Sequence, residues 1–330
     1  MVDTYFMIIV TGGAGFIGSA FVWALNKRGI NDILMVDTVD HDEKEHNVAP
    51  LQYEELMSGD EFRSKLAAGD YNPADVQAVI HMGAISATTE KSWEKLKREN
   101  VEFTQEIIRF CADGGVRCLY ASSGQVYGDG ELGYSDSNDM FDQFKTITLY
   151  GKSKLEVDIW ARDGGYLDKV VGLRFFNVFG PNEWHKQHMR SVINKQWEAV
   201  ANGEPMKLFK SDVPKFPDGG QMRDFVYVKD AVDASLWFLD NLAVNGVFNI
   251  GTGIARTWND VAKAMFSAAG KKPKIEYVEI PDELKGRYQS YTLADTKKLK
   301  AAGYTQPFMN LEDSITDYVQ NYLMPHEHLG

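Results

Sequence analysis

Cysteine is nearly absent: of 330 residues only Cys111 and Cys118 carry a thiol. A disulfide framework is therefore not expected, and neither residue has zinc-ligand spacing or a histidine beside it in sequence. Both read as buried packing thiols of a reducing, cytoplasmic compartment. Long apolar runs are missing as well. No stretch approaches the eighteen apolar residues that cross a bilayer, so no membrane partner is expected. The apolar opening "YFMIIV" has no basic leader, and it runs into a glycine loop where a signal peptide would have its cleavage site. It reads as a first strand. Positive charge is in deficit, with 35 Lys and Arg against 47 Asp and Glu and a formal net of −12. Such a surface repels a phosphate backbone, so nucleic acid is not an expected partner. Internal repeats and low-complexity tracts are absent. The segment "HEH" at 326–328 follows Pro325 and reads as a frayed polar end, with no metal expected there.

What is present is a large apolar fraction, 44% of the chain, enough for one nucleotide-binding unit and a smaller lobe. Strand-like runs at 6–10, 32–37, 76–82, 117–122 and 170–176 alternate with amphipathic stretches. That rhythm predicts an α/β fold with a Rossmann-type doubly wound parallel sheet. From about 177 the pattern changes, and Pro, Gly and Lys thicken between 202 and 222. "RDFVYVKDAVDASLWFL" and "GVFNIGTG" then return to the sheet type. The expected division is 1–176 plus 228–256 for the nucleotide domain, and 177–227 plus 257–330 for a smaller α/β C-terminal substrate domain.

"MIIVTGGAGFIG" sets Gly13, Gly15 and Gly18 at G-x-G-x-x-G spacing between a strand and a helix. This is the context in which a helix N-terminus meets a pyrophosphate. Asp37 closes the second strand, where a carboxylate can bond an adenosine ribose. Nicotinamide dinucleotide is the ligand implied. Ser122 and Ser123 end the strand at 117–122, the edge at which open parallel sheets bind ligands. Tyr150 and Lys154 stand four apart in "YGKSK", so on a helix they share a face. A neighbouring ammonium favours a phenolate and is expected to lower the Tyr150 pKa.

Five blocks carry a resemblance: T-G-G-x-G-F-I-G at 11–18, S-S-x-x-V-Y-G at 122–128, Y-x-x-x-K at 150–154, R-F-F-N-V-F-G-P at 174–181 and R-D-F-V-Y-V at 223–228. In this order they resemble the extended short-chain dehydrogenase/reductases, the NAD-dependent epimerase/dehydratase family. Within it, "NDILMVD", "HMGAISATTE", "NEWHK", "KLF", "LWFLDN" and "LKGRYQSYT" are similar to the branch that acts on an ADP-linked heptose. The resemblance implies a cytoplasmic isomerase that inverts C6″ through a 6″-keto intermediate and supplies heptose for the lipopolysaccharide inner core. It also implies a homo-oligomer, with a pentamer the best guess.

By the same resemblance the catalytic set is Tyr150, Lys186, Lys154 and Ser123. Tyr150 and Lys186 each serve one face of the sugar carbon, and a lysine can do so if burial or a neighbouring cation lowers its pKa. The implied coenzyme contacts are Gly12, Gly15, Phe16, Ile17, Gly18, Asp37, Thr38, Lys44, Met82, Gly83, Ala84, Ile85, Ser86, Asn100 and Val178, with Tyr150, Lys154 and Lys186 reaching it too. Ser123, Asn177, His188, Lys195, Phe209, Arg223, Arg287 and Tyr288 would line the sugar-nucleotide side. Arg223 and Arg287 are the candidate diphosphate partners, because a guanidinium engages two oxygens at once.

The chain departs from the family at Asn182, where Arg is usual, at Gln187 and His188, where small residues are usual, and in a longer loop at 210–221. All are expected to touch the sugar side. Thr38 replaces Asn, and of two lysines expected near an adenosine 2′-phosphate only Lys44 aligns, the other being lost near Gly59. NADP is the expected coenzyme, with NAD the alternative that a lone Asp37 favours. A dehydratase is disfavoured by Gly124 and Gln125, since neither ionises. A UDP-hexose 4-epimerase or another nucleotide-sugar epimerase or reductase remains open, as does a non-catalytic dinucleotide sensor. The absence of G-x-S-x-G weighs against nucleophilic hydrolysis.

Overall fold

The structure, a computed structural model, describes residues 6–281 and 289–330. Twelve strands are present among these residues: β1 (Met7–Thr11), β2 (Ile33–Val36), β3 (Glu55–Met57), β4 (Val76–His81), β5 (Arg117–Ser123), β6 (Val171–Phe175), β7 (Asn177–Phe179), β8 (Met206–Phe209), β9 (Met222–Tyr227), β10 (Gly246–Ile250), β11 (Ala255–Thr257) and β12 (Ile275–Val278). Seven of them form one sheet in the order β10-β6-β5-β4-β1-β2-β3. All six pairings in it are parallel.

The strands are apolar without interruption because both faces of the sheet are covered. Ile8, Ile9 and Val10 are all fully buried. Side chains alternate across a strand, so Ile8 and Val10 enter one core and Ile9 the other. The helices are α1 (Phe16–Lys27), α2 (Asp42–Val48), α3 (Gly59–Ala68), α4 (Trp93–Leu96), α5 (Phe103–Gly114), α6 (Leu149–Asp163), α7 (Val192–Asn202), α8 (Val228–Asp240), α9 (Trp258–Ala268), α10 (Lys297–Ala301) and α11 (Leu311–Tyr318). Phe21 of α1 and Val232 of α8 fill the first core, and Ile107 of α5 and Val157 of α6 fill the second.

The chain leaves β1 for β2 and β3, then crosses back to β4 on the other side of β1. This reversal opens a crevice beyond the carboxyl ends of β1 and β4, the usual ligand position in such sheets. A third core forms around Phe179, Trp197, Phe225, Met265 and Tyr318. It lies against two small sheets, β11-β9-β7 and β12-β8.

The short strand β3 had no counterpart in the sequence reading, because three residues carry no usable periodicity. The segment 325–330 also differs from its expectation: it is docked, not frayed. Leu329 is fully buried and its amide donates to Asn182 Oδ1 at 2.9 Å, while Trp23 Nε1 donates to the Gly330 carbonyl at 3.3 Å. Cys111 and Cys118 are buried and unpaired as disulfides, as read from the sequence. No helix among the described residues is long and apolar enough to cross a membrane.

Candidate active site

A cleft of about 1140 Å³ opens at the crevice. Its floor begins with the glycine loop. Gly12 has φ of +67°, and a Cβ on Gly18 would fall 1.9 Å from the Gly12 carbonyl oxygen, so only glycine lets α1 start so close to β1. The first turn of α1 carries no acidic residue, which leaves its N-terminal amides and dipole free to face an anion. Thr11 anchors this floor. Its hydroxyl meets His81 Nδ1 at 2.6 Å and accepts the Gly83 amide at 3.0 Å, while His81 Nε2 contacts Thr104 Oγ1 at 3.0 Å. Burial, with help from Lys154 and Arg63, pushes His81 down to about 3, so its ring is a neutral strut.

Asp37 ends β2 with its carboxylate already engaged. It accepts the Ala14 amide at 3.0 Å, the Thr38 amide at 2.7 Å and the Lys44 ammonium at 3.0 Å. Gly12, Gly15, Phe16, Ile17, Gly18, Asp37, Thr38, Lys44, Met82, Gly83, Ala84, Ile85, Ser86 and Val178 all line the cleft. Asn100 does not. It is fully buried and clamps Ile85 from both sides, accepting its amide at 2.8 Å and donating to its carbonyl at 3.0 Å. Asn100 is therefore a positioning residue.

The reacting end is built from β5 and α6. Thr148 caps α6 by accepting the Gly151 amide at 3.0 Å. A Cβ at Gly151 would stand 2.8 Å from the Gln125 carbonyl oxygen, so the glycine in "YGKSK" is what lets this helix dock against the end of β5. Tyr150 is thereby brought to Ser123, close enough for the hydroxyl to act on the phenol's ionisation. Lys154, one turn on, is 2% exposed, with its ammonium 6.0 Å from the Tyr150 ring centre.

The electrostatics correct one expectation. Burial pushes the Tyr150 phenol up, and the nearby Ser123 hydroxyl offsets only part of that; Lys154 does not lower it. Burial acts on the lysine as well and brings it down to about 8 against partial support from Asp158. Asp158, a further turn along α6, is fully buried. It is held by Tyr120 Oη at 3.0 Å, Ser122 Oγ at 2.9 Å and Arg174 Nε at 2.9 Å. The sequence reading missed this pair, although 150, 154 and 158 repeat at one-turn spacing and Arg174 opens the fourth motif block.

Lys186 enters the cleft from the loop after β7, 4.9 Å from the Phe16 ring centre. Its pKa is pushed down by burial, opposed by Glu183 and assisted by Lys195. Glu183 is fully buried and fixes the loop through Ser191 Oγ at 2.7 Å and Tyr318 Oη at 3.1 Å. Asn177 and His188 line the same cleft, as does Gln125, and so do Gln289 and Trp258, which sequence reasoning did not single out.

Lys195, Phe209 and Arg223 do not line the cleft. The Lys195 ammonium reaches the carbonyl of His188 at 3.4 Å, Phe209 ends β8, and Arg223 is buried on β9 with Nη1 on the Met222 carbonyl at 2.9 Å. Arg287 and Tyr288 lie outside the described residues. Asn182 is also away from the sugar side. It is fully buried at φ of 74°, a conformation asparagine tolerates, and donates to Ser19 Oγ at 2.9 Å. The loop at 210–221 contributes nothing to the cleft. Of the departures on the sugar side, only Gln187 and His188 reach it.

A family model described as the NAD dependent epimerase/dehydratase family matches residues 8–251. The chain belongs to that family. It is 48% identical over 317 residues to the ADP-L-glycero-D-manno-heptose-6-epimerase of Nitratidesulfovibrio vulgaris (strain DP4), covering 96% of this chain and 98% of that protein. The protein of the same name from Fusobacterium nucleatum is 43% identical over 326 residues, with the same coverage. A crystal structure of the Helicobacter pylori ADP-L-glycero-D-manno-heptose-6-epimerase superposes with a TM-score of 0.79 at 23% identity, over 97% of this chain and 98% of that one. As an NAD-dependent epimerase/dehydratase family member the chain uses a nicotinamide dinucleotide, and the cleft fits one. The glycine cradle and the α1 N-terminus suit the diphosphate, and Asp37 with Lys44 suits the adenosine end.

Proposed function

We propose that the chain epimerises ADP-D-glycero-D-manno-heptose at C6″ to the L-glycero form. The observation that carries this reading is the presence of two proton-transfer groups, Tyr150 and Lys186, in one cleft that also has a dinucleotide cradle. When bound, the nicotinamide supplies a reversible two-electron oxidation of the sugar carbinol. The chain supplies the rest. Ser123 donates to the reacting oxygen, and Tyr150 or Lys186 accepts its proton, depending on which face is presented. After the keto sugar turns, the other group returns a proton to the oxygen. Burial lowers the Lys186 pKa, which moves the amine toward that work. Lys154 would hold the nicotinamide ribose, since its ammonium lies beside Tyr150.

NADP is the coenzyme we favour, with Lys44 as partner to the 2′-phosphate and Thr38 beside it. A second reading, NAD, is supported by the Asp37 carboxylate, which repels a phosphate. Lys44→Ala then weakens NADP binding selectively, whereas equal effects on both coenzymes would favour NAD. Supplying heptose for lipopolysaccharide, in a homo-oligomer such as a pentamer, belongs to the same reading. The deciding experiment feeds ADP-heptose and a UDP-hexose to the purified protein and follows sugar proton couplings. Inversion at C6″ of the heptose alone supports the proposal. Inversion at C4 of the hexose alone would make it a 4-epimerase, and no turnover of either would favour a sensor.

A further inference from the structure

The described residues hold a group of side chains that the reaction above does not use. Glu43 and His46 stand three apart on α2, on one helix face, and the docked segment brings His328 against them. One ligand atom from each, a carboxylate oxygen and two imidazole nitrogens, lies within 4.8 Å of the others. The His46 and His328 rings are 5.5 Å apart between centres.

Two polar atoms of this group are buried without a hydrogen-bond partner, Glu43 Oε2 and His328 Nε2. The tautomer explains why the second matters. Asn47 is fully buried, and its amide nitrogen donates to the carbonyls of Ala14 and Asn182, both at 3.1 Å. Carbonyls only accept, so Asn47 Oδ1 must be the atom turned to His328 Nδ1, 2.9 Å away. In the neutral ring that nitrogen therefore carries the proton, and Nε2 keeps a bare lone pair. A neutral imidazole, its far nitrogen fixed by an amide oxygen, is the arrangement that metal-bound histidines have.

We propose that Glu43, His46 and His328 bind a divalent transition-metal ion of the Zn²⁺ type, which fastens the 325–330 segment to α2. Two imidazoles and a carboxylate form a borderline-soft set that favours Zn²⁺ over Mg²⁺ or Ca²⁺, with water completing the coordination. The role is structural. Helix α2 carries Lys44, and Asn47 ties the glycine loop to the segment that precedes Lys186, so the ion would steady the outer wall of the coenzyme site.

The test titrates ZnCl₂ into the full-length, coenzyme-loaded protein by calorimetry, with Co²⁺ as a spectroscopic probe. A single site is expected, with tetrahedral d–d bands for Co²⁺ and a Zn²⁺-dependent rise in Tm. Glu43→Gln and His328→Ala, on separate segments, should each weaken Zn²⁺ at least about tenfold, while His188→Ala leaves it unchanged. Unfolding without Zn²⁺ checks that each variant is folded. Failure of the native protein to bind, or binding that survives both substitutions, would overturn the assignment.

Discussion

Lys154 is an ammonium kept inside the protein, and its removal should make the coenzyme-free chain more stable while abolishing turnover. Burial lowers its pKa from 10.5 to about 8. At about 1.36 kcal/mol per unit, the folded state bears a penalty of about 3 kcal/mol whenever this lysine is charged. The unfolded chain binds the proton up to about pH 10.5 and the folded chain releases it near 8. The penalty is thus complete below pH 8 and fades as pH rises to 10.5. Lys154→Met keeps the unbranched stem and removes the charge. Asp158 still has Arg174, Tyr120 and Ser122, so it is not left unpaired. The variant should be about 2–3 kcal/mol more stable at pH 7, a Tm rise of about 3–4 °C for a chain of this size. The gap should shrink below about 1 kcal/mol at pH 10. Urea and thermal unfolding of both proteins across pH 7–10, stripped of coenzyme, measure it. A variant no more stable than the parent at pH 7, or a gap that does not change with pH, refutes the reasoning.

Tyr150→Phe should leave dinucleotide affinity intact, by fluorescence titration, and cut turnover by two to four powers of ten, roughly the weight of acid/base help; full activity would remove the phenol from the mechanism. For Lys186→Met, substrate deuterated at C6″ should show transfer impaired for one epimer more than the other, and equal impairment would recast the residue as a binding group. Acid should weaken the fold from about pH 6.5 downward, because the unfolded chain protonates His81 there while the folded chain resists until about 3. His81→Asn should flatten that slope in urea titrations between pH 4 and 7, and an unchanged slope would place the acid sensitivity elsewhere.

The sheet was legible because strands buried on both faces are written as unbroken apolar runs. The predicted 6–10 and 117–122 became Met7–Thr11 and Arg117–Ser123. The glycine loop was legible because its spacing and its place between strand and helix are both sequence properties. Charge balance was not. Whether Tyr150 is pushed up or down depends on how burial compares with Lys154 at its actual distance, and spacing along a helix does not contain that number. Asn182 misled for a related reason: its position in a motif suggested the sugar side, whereas its backbone conformation and buried partners make it part of the scaffold. Asp158 and Arg174 went unnoticed because a buried ion pair joins elements sixteen residues apart in sequence.

The carboxamide of Asn47 has a consequence for what the position can hold. An aspartate of the same shape would turn lone pairs toward two carbonyl oxygens, and a leucine would strand those oxygens and an imidazole proton in a dry interior. The site is chemically locked to one functional group, so the alignment of three otherwise separate stretches of backbone depends on two hydrogens and one oxygen pointing the right way.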